Sequence, residues 1–160
     1  MEKIDLLRQI PLFKDLTDAD LQKISEITRE VTFAKGQRVF TEGSIGDSLF
    51  VIADGLVRVL KKGRIANEEV STLKSGQHFG EMALIDDGPR STTIEAVENT
   101  QLLEIKREEL ESLLAMNLED AYRIYQTMAK YLCLRLRQTT KEFAFSTEMK
   151  NLLNDYIYQY

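Results

Sequence analysis

Phe79-Gly80-Glu81-Met82-Ala83-Leu84-Ile85-Asp86-Asp87-Gly88-Pro89-Arg90-Ser91-Thr92-Thr93 is the stretch on which the fold turns. Gly80 permits a sharp exit from a strand. Glu81 to Ile85 are good helix formers, enough for one short turn. Asp86-Asp87-Gly88-Pro89 ends that turn, and Arg90 opens the next strand. A helix start offers free N–H groups and a positive dipole end, and a returning arginine can grip the same anion with two parallel hydrogen bonds. A plain strand–turn–strand crossover with a solvated arginine uses the same residues. The residues alone leave both readings open.

Working outward, residues Val31 to Ile105 are strand-like: short β-branched runs broken at Lys35-Gly36, Glu42-Gly43, Ser44-Ile45-Gly46-Asp47 and Asp54-Gly55. Asp54-Gly55 falls between Leu49–Ala53 and Leu56–Leu60, which reads as a hairpin. Within the second run, Val57 and Val59 share one face and Leu56, Arg58 and Leu60 the other. Lys61-Lys62-Gly63 opens another turn. Val70–Leu73, Thr92–Val97 and Gln101–Ile105 are the later strands. Many short strands at this spacing mean a sandwich or a barrel.

Helical patterns flank this region. Ile4, Leu7 and Ile10 share a face that Pro11 terminates, and Thr17-Asp18-Ala19-Asp20 is a capped, acidic helix start before Leu21, Ile24 and Ile27. After Ile105 there is no glycine or proline. A short helix is expected over Arg107–Leu114 and a long one from about Leu118 to Thr139. Leu118, Tyr125 and Leu132 recur at seven, with Ala121 and Met128 between them, as a core stripe or as a dimer seam. The last residues, 141–160, read as a short amphipathic segment. It is rich in Phe143, Phe145, Met149, Leu152, Leu153, Tyr156, Ile157, Tyr158 and Tyr160, and it packs on its own domain or on a partner.

The quoted stretch resembles the phosphate-binding cassette of the cyclic nucleotide-binding domain family: F-G-E, small or apolar residues, a short loop, then an arginine followed by small residues. Ile10-Pro11-Leu12-Phe13, Lys35-Gly36 with Val39-Phe40, Glu42-Gly43, Gly46-Asp47-Ser48-Leu49-Phe50-Val51-Ile52 and Gly55-Leu56-Val57-Arg58-Val59 follow in the family order. The likeness covers residues from about 10 to 139. It implies an α+β fold, an antiparallel β jelly-roll barrel flanked by N-terminal helices and C-terminal helices. The expected layout is a helical segment over 1–30, a β-roll over 31–106 with its cassette at 79–92, helices over 107–140 and a tail over 141–160.

The resemblance also implies roles. Arg90 pairs with the cyclic phosphate, and Glu81 accepts from the ribose 2′-hydroxyl. The cradle is completed by Phe79 and by the backbone of Gly80, Met82 and Ala83. Ser91 and Thr92 touch phosphate or base. Val59 and Val70 pack on the purine, and Arg135 on the long helix reaches the base. Thr92 stands where the family commonly has alanine. Ser91 is not the threonine of guanine-preferring members, which favours cAMP over cGMP as the ligand. No cofactor is implied.

Composition agrees with a globular module: 43% hydrophobic and 29% charged residues, with 26 acids against 21 bases for a net charge of −5. That balance argues against coating nucleic acid. The single cysteine, Cys133, excludes an internal disulfide and is expected to be buried. His78, the only histidine, cannot build a metal site or a triad and reads as structural. Asp86 and Asp87 lack calcium-loop spacing. Arg123, Lys130, Arg135, Arg137 and Lys141 form a base-only stretch. No nucleophile, Walker or kinase motif is present, so the chain is expected not to be an enzyme. No apolar run is long enough for a membrane span, and a cytoplasmic setting is expected. The twenty residues after Thr140 are too few for a separate DNA-reading domain, which argues against direct DNA binding. The expected function is a cyclic nucleotide sensor, acting through its C-terminal helices on an unidentified protein partner or as a homodimer. A related interaction module with no ligand or another ligand, and a truncated transcription regulator, are the alternatives.

Overall fold

A computed structural model describes residues 2–158, with the side chains of 155–158 left undescribed. The chain opens with α1 (Lys3–Gln9), a 3-10 turn at Pro11–Phe13, and α2 (Asp18–Ile27). The start of α2 is a capping box. Thr17 Oγ1 accepts from the Asp20 amide (3.2 Å), and the Asp20 carboxylate accepts from the Thr17 amide (3.1 Å). Eight strands follow: β1 (Arg29–Phe33), β2 (Arg38–Phe40), β3 (Ser48–Asp54), β4 (Leu56–Lys62), β5 (Asn67–Lys74), β6 (His78–Phe79), β7 (Thr93–Ala96) and β8 (Thr100–Lys106). A 3-10 turn at Glu81–Leu84 separates β6 from β7. Two helices close the described chain, α3 (Arg107–Ala115) and α4 (Leu118–Tyr158).

The strands form two antiparallel four-stranded sheets, ordered β1-β8-β3-β6 and β2-β7-β4-β5. The jelly-roll expectation holds, but the sheets are not closed into a barrel: no ladder joins the edge strands of one to those of the other. The hairpin expected at Asp54-Gly55 is also absent. β3 pairs with β6 and β8, whereas β4 pairs with β5 and β7. Gly55, at φ +102°, is a corner that carries the chain from one sheet to the other. A bulge after Val59 shifts the alternation of β4, so that Val57 and Leu60 are both buried.

Burial follows from the period-2 pleat of β3, which is covered on both faces. Phe50 and Ile52 point between the sheets and meet Val57, Phe79, Ile94 and Leu102. Leu49 and Val51 point the other way and meet Leu7, Ile10, Phe13, Leu21, Ile24, Leu110, Ile124 and Met128 from the helices. The helices therefore pack on the outer face of one sheet, and α4 reaches the mouth of the roll. Its buried stripe is Ile124 and Met128 with Ala121 and Tyr131 beside them. Leu118, Tyr125 and Leu132 are turned away from it. Cys133 is exposed rather than buried, because it lies two residues beyond Tyr131 and so across the helix from that stripe. α4 runs unbroken through residue 140 to Tyr158, with Phe143, Phe145, Met149, Leu152 and Leu153 exposed. The side chains of Tyr156, Ile157, Tyr158 and Tyr160 lie outside the described residues. No helix among the described residues is long and apolar enough to cross a membrane.

Candidate functional site

Arg90 is the centre of the site. It is 8% exposed, and its Nη2 donates to the Ser48 carbonyl (2.9 Å) and its Nη1 to the Gly80 carbonyl (3.5 Å). The guanidinium carbon lies 4.0 Å from the centroid of the Phe40 ring, a cation–π platform. Its Nε is buried with no hydrogen-bond partner. Burial lowers the affinity of the group for its proton, and the charges of Asp47 and Glu104 partly offset this. Ser48 Oγ lies within hydrogen-bonding distance of both Glu104 (2.8 Å) and Asp47 (3.0 Å), and its single proton is shared between these two carboxylates. The guanidinium is thus desolvated, charged and incompletely paired, which is the state that favours an anionic ligand.

Two glycines make room for it. A Cβ at Gly46 would overlap the Arg90 Nε and Cζ. Gly80, at φ +80°, caps the 3-10 turn in a left-handed conformation, and a Cβ there would stand 2.7 Å from Arg90 Nη1. The stacked rings of Phe50 and Phe79, 5.4 Å apart, support this corner from inside.

A cavity of about 520 Å³ opens over the arginine. That is the size of a site for a small organic ligand. It brings together Phe79, Gly80, Glu81, Met82, Ala83, Arg90, Ser91, Thr92, Val59 and Arg135 from the sequence-derived set. Val70 does not join them. It is 57% exposed, while Ser71 and Leu73, of opposite parity on β5, face the cavity. The cause is the register Val59↔Ser71, which puts the odd-numbered residues of β5 beside Val59. The Ala83 amide donates to the Gly80 carbonyl (3.1 Å), so the turn itself uses that donor. The Ser91 carbonyl accepts from Lys61 Nζ (2.8 Å).

Tyr131, His78 and Phe40 are among the cavity residues that the sequence reading did not assign to the site. Tyr131 on α4 lines the cavity, and its phenol pKa is pushed up to about 12 by burial and by the nearby Glu81 charge. His78 rests against it, ring centroids 5.2 Å apart. Phe40 carries the arginine. A helical apolar stripe hides Tyr131 among core positions, and a lone histidine carries no spacing signal.

The fold and this cavity define a domain of two antiparallel sheets with a small-ligand-sized pocket and a buried arginine at its floor. The sequence model of the cyclic nucleotide-binding domain matches residues 30–117, more than half of the chain, and the chain belongs to that family. It is 36% identical over 123 residues to "cGMP-dependent protein kinase, isozyme 2 forms cD5/T2" of Drosophila melanogaster. That match covers 74% of this chain and 13% of the kinase. Each of the curated kinases and kinase regulatory subunits most similar to it is spanned over less than a third of its length. Among solved structures, the N-terminal domain of a transcriptional regulator from Streptomyces coelicolor A3(2) superposes with a TM-score of 0.74 at 31% identity. It covers 84% of this chain and 94% of that one. The regulatory domain of Toxoplasma gondii PKA, crystallised with cAMP, superposes at 0.66 with 26% identity, over 70% and 43% of the two chains.

Proposed function

We propose that the chain senses a cyclic mononucleotide, cAMP in preference to cGMP, and passes the binding event on through α4. The observation that carries this is Arg90: a buried guanidinium with an unpartnered Nε at the floor of a nucleotide-sized cavity, with Glu81 at the same site. One monoanionic cyclic phosphate matches one guanidinium, and the Glu81 carboxylate is an acceptor for the ribose 2′-hydroxyl. Both nucleotides occur in the names of its relatives, and Ser91 in place of threonine tips the choice to cAMP. Tyr131 and Arg135 give α4 a stake in the occupied state. The role is regulatory rather than catalytic, and its output is a protein surface: a second copy of the chain or a partner protein.

Calorimetry with cAMP and cGMP on the parent and on Arg90→Ala tests this. The variant is expected to fold and to lose about 2–5 kcal/mol of binding, because one partner of a buried charge pair is removed. In the parent, 2′-deoxy cAMP is expected to bind more weakly than cAMP, and Glu81→Ala to narrow that gap. Unchanged affinity in Arg90→Ala refutes the assignment. A folded parent that binds neither nucleotide leaves the interaction-module reading in its place.

A further inference from the structure

Beside Arg90 and Glu81 the cavity wall carries a group to which neither phosphate nor ribose recognition gives a task. His78 stands on β6, held opposite Val51 of β3, with its ring against Tyr131 of α4. Its Nε2 is buried and has no hydrogen-bond partner in the protein. Buried side-chain nitrogens are nearly always paired, and an exception inside a ligand cavity calls for a partner that arrives with the ligand. The ladder fixes the backbone of His78. Its ring packs against Tyr131, and Nε2 is shielded from solvent, so a ligand reaches that nitrogen as the Tyr131 contact opens. With Arg90 given to the phosphate and Glu81 to the 2′-hydroxyl, the remaining lining near His78 is that of Tyr131, Arg135 and the β5 residues.

We propose that His78 is a ligand-contacting residue of this cavity, whose Nε2 completes its hydrogen bonding on the base–ribose portion of the bound cyclic purine nucleotide, and that it does so as the neutral imidazole. The proposal rests on the sensor reading given above. The charged and titratable groups facing the ring are Glu81 from the 3-10 turn and Tyr131 and Arg135 from α4. Burial holds its pKa below the ordinary value of 6.5. Glu81 opposes that shift and Arg135 adds to it. A nucleotide covering the ring deepens the burial and favours the neutral form further. The cyclic phosphate and Arg90 keep their charges throughout the neutral range. His78, the chain's only histidine, is therefore the cavity group that links binding to pH. The sign follows: below the pKa of the unliganded protein a proton must leave before the nucleotide binds, so affinity falls on acidification, by at most about tenfold per pH unit.

A single histidine makes the test direct. Protein labelled with ¹⁵N in the imidazole gives one pair of ring resonances, followed from pH 5.5 to 7.5 with and without saturating cAMP. Calorimetry over the same range is run on the parent, His78→Phe and Arg90→Ala. The expected result is a shifted Nε2 resonance and a lower titration midpoint with cAMP bound, and a parent affinity that falls on acidification as the imidazole of the free protein takes up its proton. His78→Phe, which keeps a ring against Tyr131, is expected to bind several-fold more weakly at pH 7.5 with a flat pH profile. An Nε2 resonance and midpoint unmoved in the cAMP-saturated parent overturn the proposal, as does a folded His78→Phe with the parent's affinity and pH profile. Absence of cAMP binding by the folded parent overturns the sensor reading instead, and this proposal with it. The resonance measurement needs no variant and stands if His78→Phe fails to fold.

Discussion

Gly46 decides where Arg90 lies. The guanidinium occupies the volume that any side chain at Gly46 would fill, and its far side is taken by Phe40 and the Ser48 carbonyl. In Gly46→Ala the arginine has to move, because the methyl group is on backbone and the arginine is the softer partner. No positive φ is recorded at Gly46, so the backbone itself accepts alanine. The cost is therefore expected in ligand binding rather than in folding: cAMP affinity at least tenfold weaker, about 1.4 kcal/mol, with little change in thermal midpoint. Calorimetry and a melting curve on the same sample check this, and parent-like affinity contradicts it. At this scale the sequence was legible where chemistry and spacing coincide, as in Phe79, Gly80, Glu81 and Arg90. It was less so where a role depends on strand parity. Val70 and Ser71 differ in side by one residue, and the bulge in β4 that sets their register leaves no mark in composition. His78 and Tyr131 come together only because β6 and α4, more than fifty residues apart in sequence, pack against each other.

Among the elements, α4 matters most, and it is rooted by charge. Arg123 donates from Nε and Nη2 to the two carboxylate oxygens of Asp20 (2.8 and 2.9 Å) and from Nη2 to Asp120 (2.7 Å). Asp20 is wholly buried and also accepts from the Thr17 hydroxyl (2.7 Å). Arg123 above all holds its carboxyl pKa down to about 2, against the opposing effect of burial. The same carboxylate thus caps α2 and fastens α4 to it. Asp20→Asn is expected to destabilise the fold by about 3 kcal/mol in a urea melt at pH 7. That is the low end for breaking a buried pair, since Arg123 keeps Asp120 and contact with water. The folded-state pKa lies below the unfolded one, so this stabilisation is present above pH 4 and is lost between about pH 4 and 2. The stability difference between parent and variant should shrink across that window, and a constant difference removes the clamp from the account. The Thr17 cap was legible because it is local. The pairing of β3 and β4 was not. Asp54-Gly55 specifies a turn, but which edges meet beyond it is settled by the ladders of β3 with β8 and β4 with β7, contacts between residues far apart in sequence.

For the whole molecule, the outward face of α4 poses the question of assembly. Leu118, Tyr122, Tyr125, Leu132, Leu136 and Phe143 follow alternating steps of three and four with Ala129 and Thr139 between, the spacing of a coiled-coil seam. Leu118, Tyr122, Leu136 and Phe143 are 84%, 67%, 68% and 72% exposed, a contiguous apolar stripe of the kind that marks an interaction surface. The helix is 41 residues long, about 60 Å, and extends past the domain it is rooted on. A second copy supplying the same stripe would be self-complementary to it, and that is the dimer proposed here. On the other side of the same turns, Tyr131 and Arg135 reach the cavity, one residue away from Leu132 and Leu136. Under the proposed function, a ligand that draws Tyr131 and Arg135 inward would rotate or shift the turns that carry the stripe. Such coupling acts only through differential affinity for the two states, typically about 1–3 kcal/mol, and it is reciprocal. Tyr125→Glu, outside the cavity and the cassette, is therefore expected both to dissociate the dimer and to weaken cAMP binding about five- to a hundredfold. Equilibrium sedimentation of parent and variant, with and without cAMP, reads one direction, and calorimetry reads the other. A parent that stays monomeric at every concentration, or a dimer constant indifferent to cAMP, breaks the link between cavity and seam and leaves a sensor whose output must be sought on another surface.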